Sequence, residues 1–210
     1  MIGALLCASL LTSCEQSEPG SASSLHRCDV ETTPVATVQG DDYASPMLGS
    51  TFVIRGIVTR LEAGTGFYIE EPGSDASPTS SNAIFVEDPV LSEQASPGQM
   101  VLISGQVSEL GKARDTLTAL TEISSHQLCG ADFELPETPV ELPLDSRQRE
   151  AIESMRITLD HGLTVTDVYN LHRGEVTISA MGALRVPTED GPPGPAAASL
   201  AKKKDRKSVV

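Results

Sequence analysis

From Val38 to Glu71 the chain alternates apolar and polar residues with a period of two and sets glycines inside the apolar runs. Phe52, Ile54, Ile57 and Val58 form one such run, interrupted by Gly56; a turn with Gly64 and Gly66 follows, then Phe67-Tyr68-Ile69. Ala83 to Val86 and Met100 to Val107, with Gly105 inside, continue the pattern. Successive strand residues face opposite sides of a sheet, and a glycine within a strand relieves crowding where the strand bends. A small, strongly curved antiparallel barrel needs both. The spacing predicts strands near 51–62, 66–71, 83–88, 99–109 and 116–123, a loop over Pro72 to Ser81, and a short connection over Asp88 to Pro97 with room for one helical turn. Five strands with the wider gap between the third and fourth match an OB-like Greek-key barrel, an architecture that often binds nucleic acids or oligosaccharides. A β-sandwich is the alternative, but it wants about seven strands. The fold class expected is therefore mainly β: a five-stranded OB-like barrel followed by a small β-rich appendage with one short helix.

Composition argues against strong binding by the barrel itself. The chain has four Phe, three Tyr and no Trp, and a formal net charge of -14. Between Asp29 and Leu120 thirteen acidic residues face four basic ones, Arg55, Arg60, Lys112 and Arg114, a local balance of -9. Single-strand binders use aromatic platforms and a positive groove, and phosphate neutralisation supplies most non-specific affinity. An acidic, aromatic-poor barrel needs a divalent cation or a basic neighbour to hold nucleic acid well. The plain reading of the charge is a surface that keeps the protein soluble.

The first fourteen residues, MIGALLCASLLTSC, are apolar and too short to span a membrane as a mature helix. They read as a signal peptide ending in Leu11-Thr12-Ser13-Cys14, which resembles a bacterial lipobox, with Cys14 as the lipidated residue. An ordinary cleaved signal is the alternative. Either way the chain is expected to be exported, to an outer membrane or cell surface as a lipoprotein or into the medium, and position 15 is not Asp. Export bears on the remaining cysteines: Cys28 and Cys129 flank the barrel and read as a disulfide in an oxidising compartment. A zinc site built from His26, Cys28, His126 and Cys129 is the rival, although its spacings are not those of common zinc modules.

Along the chain, 1–14 is the signal with its lipobox, 15–27 a polar tether, 28–130 the barrel, 131–186 a β-rich appendage or connector, and 187–210 a Pro/Gly and basic linker. Within the appendage, FELPETPVELP is an extended proline-spaced connector. Asp145 to Met155 carries a capping residue followed by helix formers. Alternation resumes over Met155 to Leu159, Leu163 to Tyr169 and Glu175 to Met181. Lys202, Lys203, Lys204, Arg206 and Lys207 form a basic run, and Ser208-Val209-Val210 has the character of an opening strand.

Site candidates on the barrel are few. The second and third strands are the expected contact face. Alternation sets Tyr68 opposite Phe67 and Ile69; the latter two read as core, which leaves Tyr68 as the stacking candidate, and Phe85 reads as core. Arg55, Arg60, Lys112 and Arg114 are the cationic candidates for nucleic-acid contact. Glu70, Glu71, Glu87 and Asp88 end the second and third strands and, if these strands adjoin, are weak candidates for Ca²⁺ or Mg²⁺, with solvated strand ends as the plain alternative. Ser45 lacks the elbow motif of a hydrolase nucleophile.

The ordered motifs VQG…SPMLG…FVIRGIVT…GFYIEE…SSNAIFVED…PGQMVLISGQVSE…TLTAL resemble the OB-like domain that precedes the catalytic domain in large bacterial extracellular nucleases. These belong to the endonuclease/exonuclease/phosphatase superfamily, which includes secreted and surface-attached DNases. ESMRITL…LTVTDVYNLHRGEVTIS…LRVPTE resembles the segment that follows, and PGPAAASLAKKKDRKSVV resembles the approach to the catalytic domain. The resemblance covers about Cys28 to Val210. It implies a parent that is a metal-dependent endonuclease, with Mg²⁺ or Ca²⁺ in a catalytic domain that lies outside this chain. That superfamily uses an Asp-x-Asn pair and a Ser-Asp-His. Neither occurs here: Asn82 and Asn170 do not follow an aspartate by two, and Asp160-His161 sits in an expected turn. No catalytic residue and no cofactor are expected in this chain. The expected role is a non-catalytic accessory domain that positions DNA or braces the catalytic domain, with DNA, that domain and, through Cys14, a membrane as partners. A surface lipoprotein that binds another ligand, or a spacer without nuclease activity, is the alternative.

Overall fold

The computed structural model describes residues 28–73, 79–112, 115–160, 162–173, 176–180, 182, 192–204 and 208–209. Cys14, the tether, His26, Arg114 and His161 lie outside the described residues.

Five strands close into a barrel: β1 (Thr51–Glu62), β2 (Gly66–Glu70), β3 (Ala83–Val86), β4 (Met100–Lys112) and β5 (Asp115–Gly130), in the order β1-β2-β3-β5-β4. Neighbours run antiparallel except β3 and β5, which pair in parallel over only Phe85↔Ala119 and Val86↔Leu120. The OB-like barrel expected from the alternation is present, and a sheet that closes on itself is not a sandwich. β4 runs on to Lys112 and β5 to Gly130, beyond their expected limits, and in β5 the added Ser124, Ser125, His126 and Gln127 are polar and carry no apolar alternation.

The interior is lined by Ile54 and Val58 from β1, Phe67 and Ile69 from β2, Ile84 and Val86 from β3, Ile103 and Val107 from β4, and Leu120 from β5, all fully buried. Each such side chain contributes roughly 1.5–3 kcal/mol through burial. Val35 and Val38 join the same cluster from α1 (Val35–Gln39), a short helix that the alternation does not announce. Glu71 Oε2 accepts from the Val35 N–H at 3.0 Å and Ala36 O accepts from Ser80 Oγ at 2.7 Å, so α1 lies where β2 ends. At the opposite end, α2 (Pro89–Ser92) occupies the expected one-turn connection, and Ser92 Oγ donates to Gly66 O at 3.0 Å. The two helices thus plug opposite ends of the β2–β3 hairpin.

A bulge in β1 decides what faces outward. Phe52, Ile54 and Val58 point toward the core, and continued alternation would send residue 60 inward as well. The register instead runs Val58↔Ile69 and then Arg60↔Tyr68, with Thr59 as the extra residue. One inserted residue flips the facing of those that follow. Arg60 is exposed beside Tyr68 for this reason.

Beyond the barrel, β6 (Thr138–Pro139) pairs in parallel with β7 (Ile157–Thr158). The expected helix is α3 (Ser146–Glu150), which is shorter than predicted. Asp145 caps it in a reciprocal box with Gln148, the two bonds measuring 2.9 and 2.8 Å. Turns carry the chain from α3 to Ser154, which takes a left-handed φ of 63°. A second sheet has the order β10-β9-β8, built from β8 (Thr164–Asp167), β9 (Thr177–Ser179) and β10 (Ser208–Val209). Part of the expected linker is helical, as α4 (Pro195–Lys204). Among the described residues no helix is long and apolar enough to cross a membrane.

Cys28 and Cys129 are disulfide-bonded, so neither sulfur is free for the zinc alternative. Thiol titration of the denatured, unreduced protein should find neither cysteine reactive, and Cys129→Ser should lower unfolding free energy by about 4 kcal/mol. Gly66 has a different constraint: a Cβ there would lie 2.0 Å from Val86 O and 2.8 Å from Phe85 Cζ. Gly66→Ala should therefore cost about 3 kcal/mol in urea unfolding, because the obstacle is backbone and cannot rotate away.

Candidate functional site

An open groove of about 690 Å³ lies on the outside of the barrel, lined by Thr59, Arg60, Tyr68, Leu117, Ser154, Met155 and Arg156. Its floor is the bulged end of β1 against β2, and one wall is the segment after α3. The Arg60 guanidinium stands 5.7 Å from the Tyr68 ring centroid. The Tyr68 ring is tilted 52° against Phe85, with centroids 4.9 Å apart. Phe85 is buried as expected, but it pairs with Tyr68 on the outer face and is absent from the interior cluster. Burial pushes the Tyr68 hydroxyl above its ordinary range, which Arg60 partly offsets.

Both arginines of the groove are engaged. Arg60 pairs with Glu62 at 2.9 Å and Arg156 with Glu137 at 2.7 Å, in well-exposed pairs. Exposed pairs of this kind contribute little, about 0–1 kcal/mol each, so an anionic ligand could displace them at small cost. Arg156 lies in the ESMRITL stretch, which gives no sign of a binding role, and the segment after α3 brings it to the groove.

The predicted contact residues do not assemble into one surface. Arg60 and Tyr68 meet across strands, whereas Arg55 lies toward β4, opposite Leu102. Lys112 stands at the tip of the β4–β5 hairpin, paired with Asp115, and Arg114 lies outside the described residues.

The four acidic candidates are separated by the antiparallel pairing. Glu70 pairs with Ala83, whereas Phe67 pairs with Val86, so Glu70-Glu71 and Glu87-Asp88 end opposite ends of the hairpin. Three of them hold backbone instead. Glu70, 2% exposed, accepts from the Arg156 N–H at 3.0 Å, and burial raises its carboxyl above the usual range. Glu71 accepts from Val35, and Asp88 caps α2 by accepting from Val90 and Leu91 at 3.0 and 2.9 Å. Glu87 is exposed. Among the described residues no group of three or more His, Cys, Asp or Glu is placed to hold a metal ion.

A further constellation closes the barrel beside the groove. Where β3 and β5 part, Ala83 O accepts from Gln39 Nε2 at 2.6 Å, and Glu153 Oε1 accepts from the Thr118 N–H at 3.0 Å and from Gln39 Nε2 at 3.5 Å. Ser81 Oγ donates to Glu153 O at 2.5 Å. Burial, opposed by the Thr118 hydrogen bond and reinforced by the charges of Glu150 and Glu109, pushes the Glu153 carboxyl up to about 7. Sequence alone gives no sign of this residue, since Glu153 is one of several glutamates in a polar stretch.

No family model matches the chain, and no curated protein matches it. Among solved structures, a chain described as "OBody AM3L15 bound to hen egg-white lysozyme" is similar over 51% of this chain and 96% of its own length, at 18% identity and a TM-score of 0.37.

Because Asp88 acts as a helix cap, Asp88→Ala should lower stability by about 1 kcal/mol. Millimolar Ca²⁺ should leave the melting temperature of both proteins unchanged, as read by differential scanning calorimetry.

Proposed function

We propose that this chain is a non-catalytic accessory module of an exported nuclease, and that it touches nucleic acid through the groove at Arg60, Tyr68 and Arg156. The observation that carries this reading is one half-buried aromatic ring lining the same groove as two exposed arginines, one of them against the ring, on the outer face of an OB-like barrel. A ring can stack on a base whatever its identity, and guanidinium groups suit phosphate. The ordered motifs shared with extracellular nucleases support the same reading. One ring and two cations fit about one nucleotide with its phosphates, so the contact is short. It orients a strand or its end for a catalytic domain, where the metal-dependent cleavage and its Mg²⁺ or Ca²⁺ belong. A lipid at Cys14 would hold the assembly at a membrane surface.

A spacer or binder of another ligand is the second reading. The pairing of both arginines with Glu62 and Glu137 favours it, because a phosphate must first displace a carboxylate at each.

Titration of the full chain with a fluorescent oligothymidine at low salt separates the two. The nuclease reading expects weak saturable binding that Tyr68→Ala reduces about tenfold or more. It also expects log K to fall with log salt at a slope of roughly -1 to -2, the mark of one or two phosphates. No binding to single- or double-stranded DNA at low salt, with or without Mg²⁺ or Ca²⁺, overturns the DNA contact and leaves the spacer reading.

A further inference from the structure

The parallel pairing of β3 with β5 lasts for two residue pairs, and the backbone groups just before it are left to other partners. The Thr118 N–H is taken up by Glu153, and Ala83 O accepts from Gln39 Nε2 and, at 3.3 Å, from Ser81 Oγ. Gln39 and Glu153 reach in from either side of the barrel sequence and complete a continuous chain, from Thr118 to Glu153 to Gln39 to Ala83. Glu153 is therefore both a plug of the seam and the first residue of the segment that forms one wall of the groove, with Ser154, Met155 and Arg156 after it.

The surroundings of that carboxyl are acidic. Glu109 of β4 shares Thr118 with it, its Oε1 accepting from Thr118 Oγ1 at 2.9 Å and from the Ser45 N–H at 2.8 Å. Glu109 Oε2 is buried without a hydrogen-bond donor, so nothing there offsets a second negative charge. Glu150 of α3 faces the same cluster, with Asp42 beside it, and burial raises its own carboxyl too. Tyr68 of β2 is near enough for its hydroxyl to feel Glu153. Gln39 from α1 and Ser81 ahead of β3 are neutral. The arginines of the groove, Arg60 and Arg156, pair instead with Glu62 and Glu137. Farther along the segment, Glu70 holds the Arg156 N–H, and its carboxyl is also raised by burial.

We propose that Glu153 is a proton-operated latch: with its proton on, it seats the segment Glu153–Arg156 in the β3–β5 seam, and on losing that proton it loosens this wall of the groove. The direction follows from linkage. The docked carboxyl keeps its proton up to about pH 7, while a free glutamate releases it near 4.5. Docking is then strongest below pH 4.5, weakens about tenfold per pH unit up to about 7, and levels off above. Glu70 works in the same direction. The latch stands without the nucleic-acid reading; only its consequence, a groove better formed in acid than at neutral pH, rests on that reading.

Native-state hydrogen exchange of the full chain tests it with no ligand present, so failure of the DNA contact would leave the result untouched. Protection factors are measured at pH 5 and 7.5 for the amides of Thr118, which donates to Glu153, and Arg156, which donates to Glu70. Both should fall on the order of a hundredfold between the two values, while the Ile103 amide in the β1–β4 ladder stays protected. Glu153→Gln keeps the acceptor for Thr118 and removes the charge, and should abolish the fall at Thr118. Glu109→Gln removes the neighbouring charge and should shrink it, which decides the matter even if Glu153→Gln folds poorly. Equal wild-type protection at both pH values, or an undiminished fall in either variant, overturns the latch.

Discussion

The barrel depends on how the seam between β3 and β5 is closed. Elsewhere in the barrel antiparallel ladders of four or more residue pairs join neighbouring strands, but here the register is only two parallel pairs. An unpaired buried N–H or C=O costs about 1–3 kcal/mol, so extension of the seam by side chains matters as much as a core contact. Gln39 comes from before the first strand and Glu153 from beyond the last. The seam therefore joins three parts of the chain that the sequence separates: the leading helix, the barrel and the appendage.

The same contacts shape the candidate site. The outer face of β2 and β3 is where an OB-like barrel offers a ligand surface, and here the chain's own segment Glu153–Arg156 forms part of it. What remains open offers one aromatic ring and two arginines, Tyr68, Arg60 and Arg156. This short set agrees with the composition. A barrel with a local balance of -9 and few aromatics lacks a long track for a single strand, and its two groove arginines are shared with glutamates.

Much of the barrel was legible in the sequence because its central strands bury one face. Ile54, Val58, Phe67, Ile69, Ile84 and Val86 alternate as the core requires, and the facing of Tyr68 followed from them. The far end of β5 was not legible, since Ser125, His126 and Gln127 pair through backbone and leave no apolar rhythm. Nor was α1, whose two valines three apart are too weak a signal in a five-residue helix. The site was only half legible. Arg60 and Tyr68 could be named, but their meeting depends on the bulge at Thr59, a one-residue register event that composition does not encode. The acidic pairs looked like neighbours because they end adjacent strands, yet antiparallel pairing sends adjacent strand ends apart. Glu153 and Arg156 come from the segment after α3, far along the chain from the strands they touch.

The central claim is that Gln39 and Glu153 act as one unit in closing the seam. A double-mutant cycle with Gln39→Ala, Glu153→Ala and the double variant, measured by urea unfolding at pH 6, tests it directly. The account predicts a coupling energy of about 1 kcal/mol or more, because either substitution alone already breaks the chain from Thr118 to Ala83. Effects that add to within about 0.3 kcal/mol would contradict it, since independent sites behave in that way.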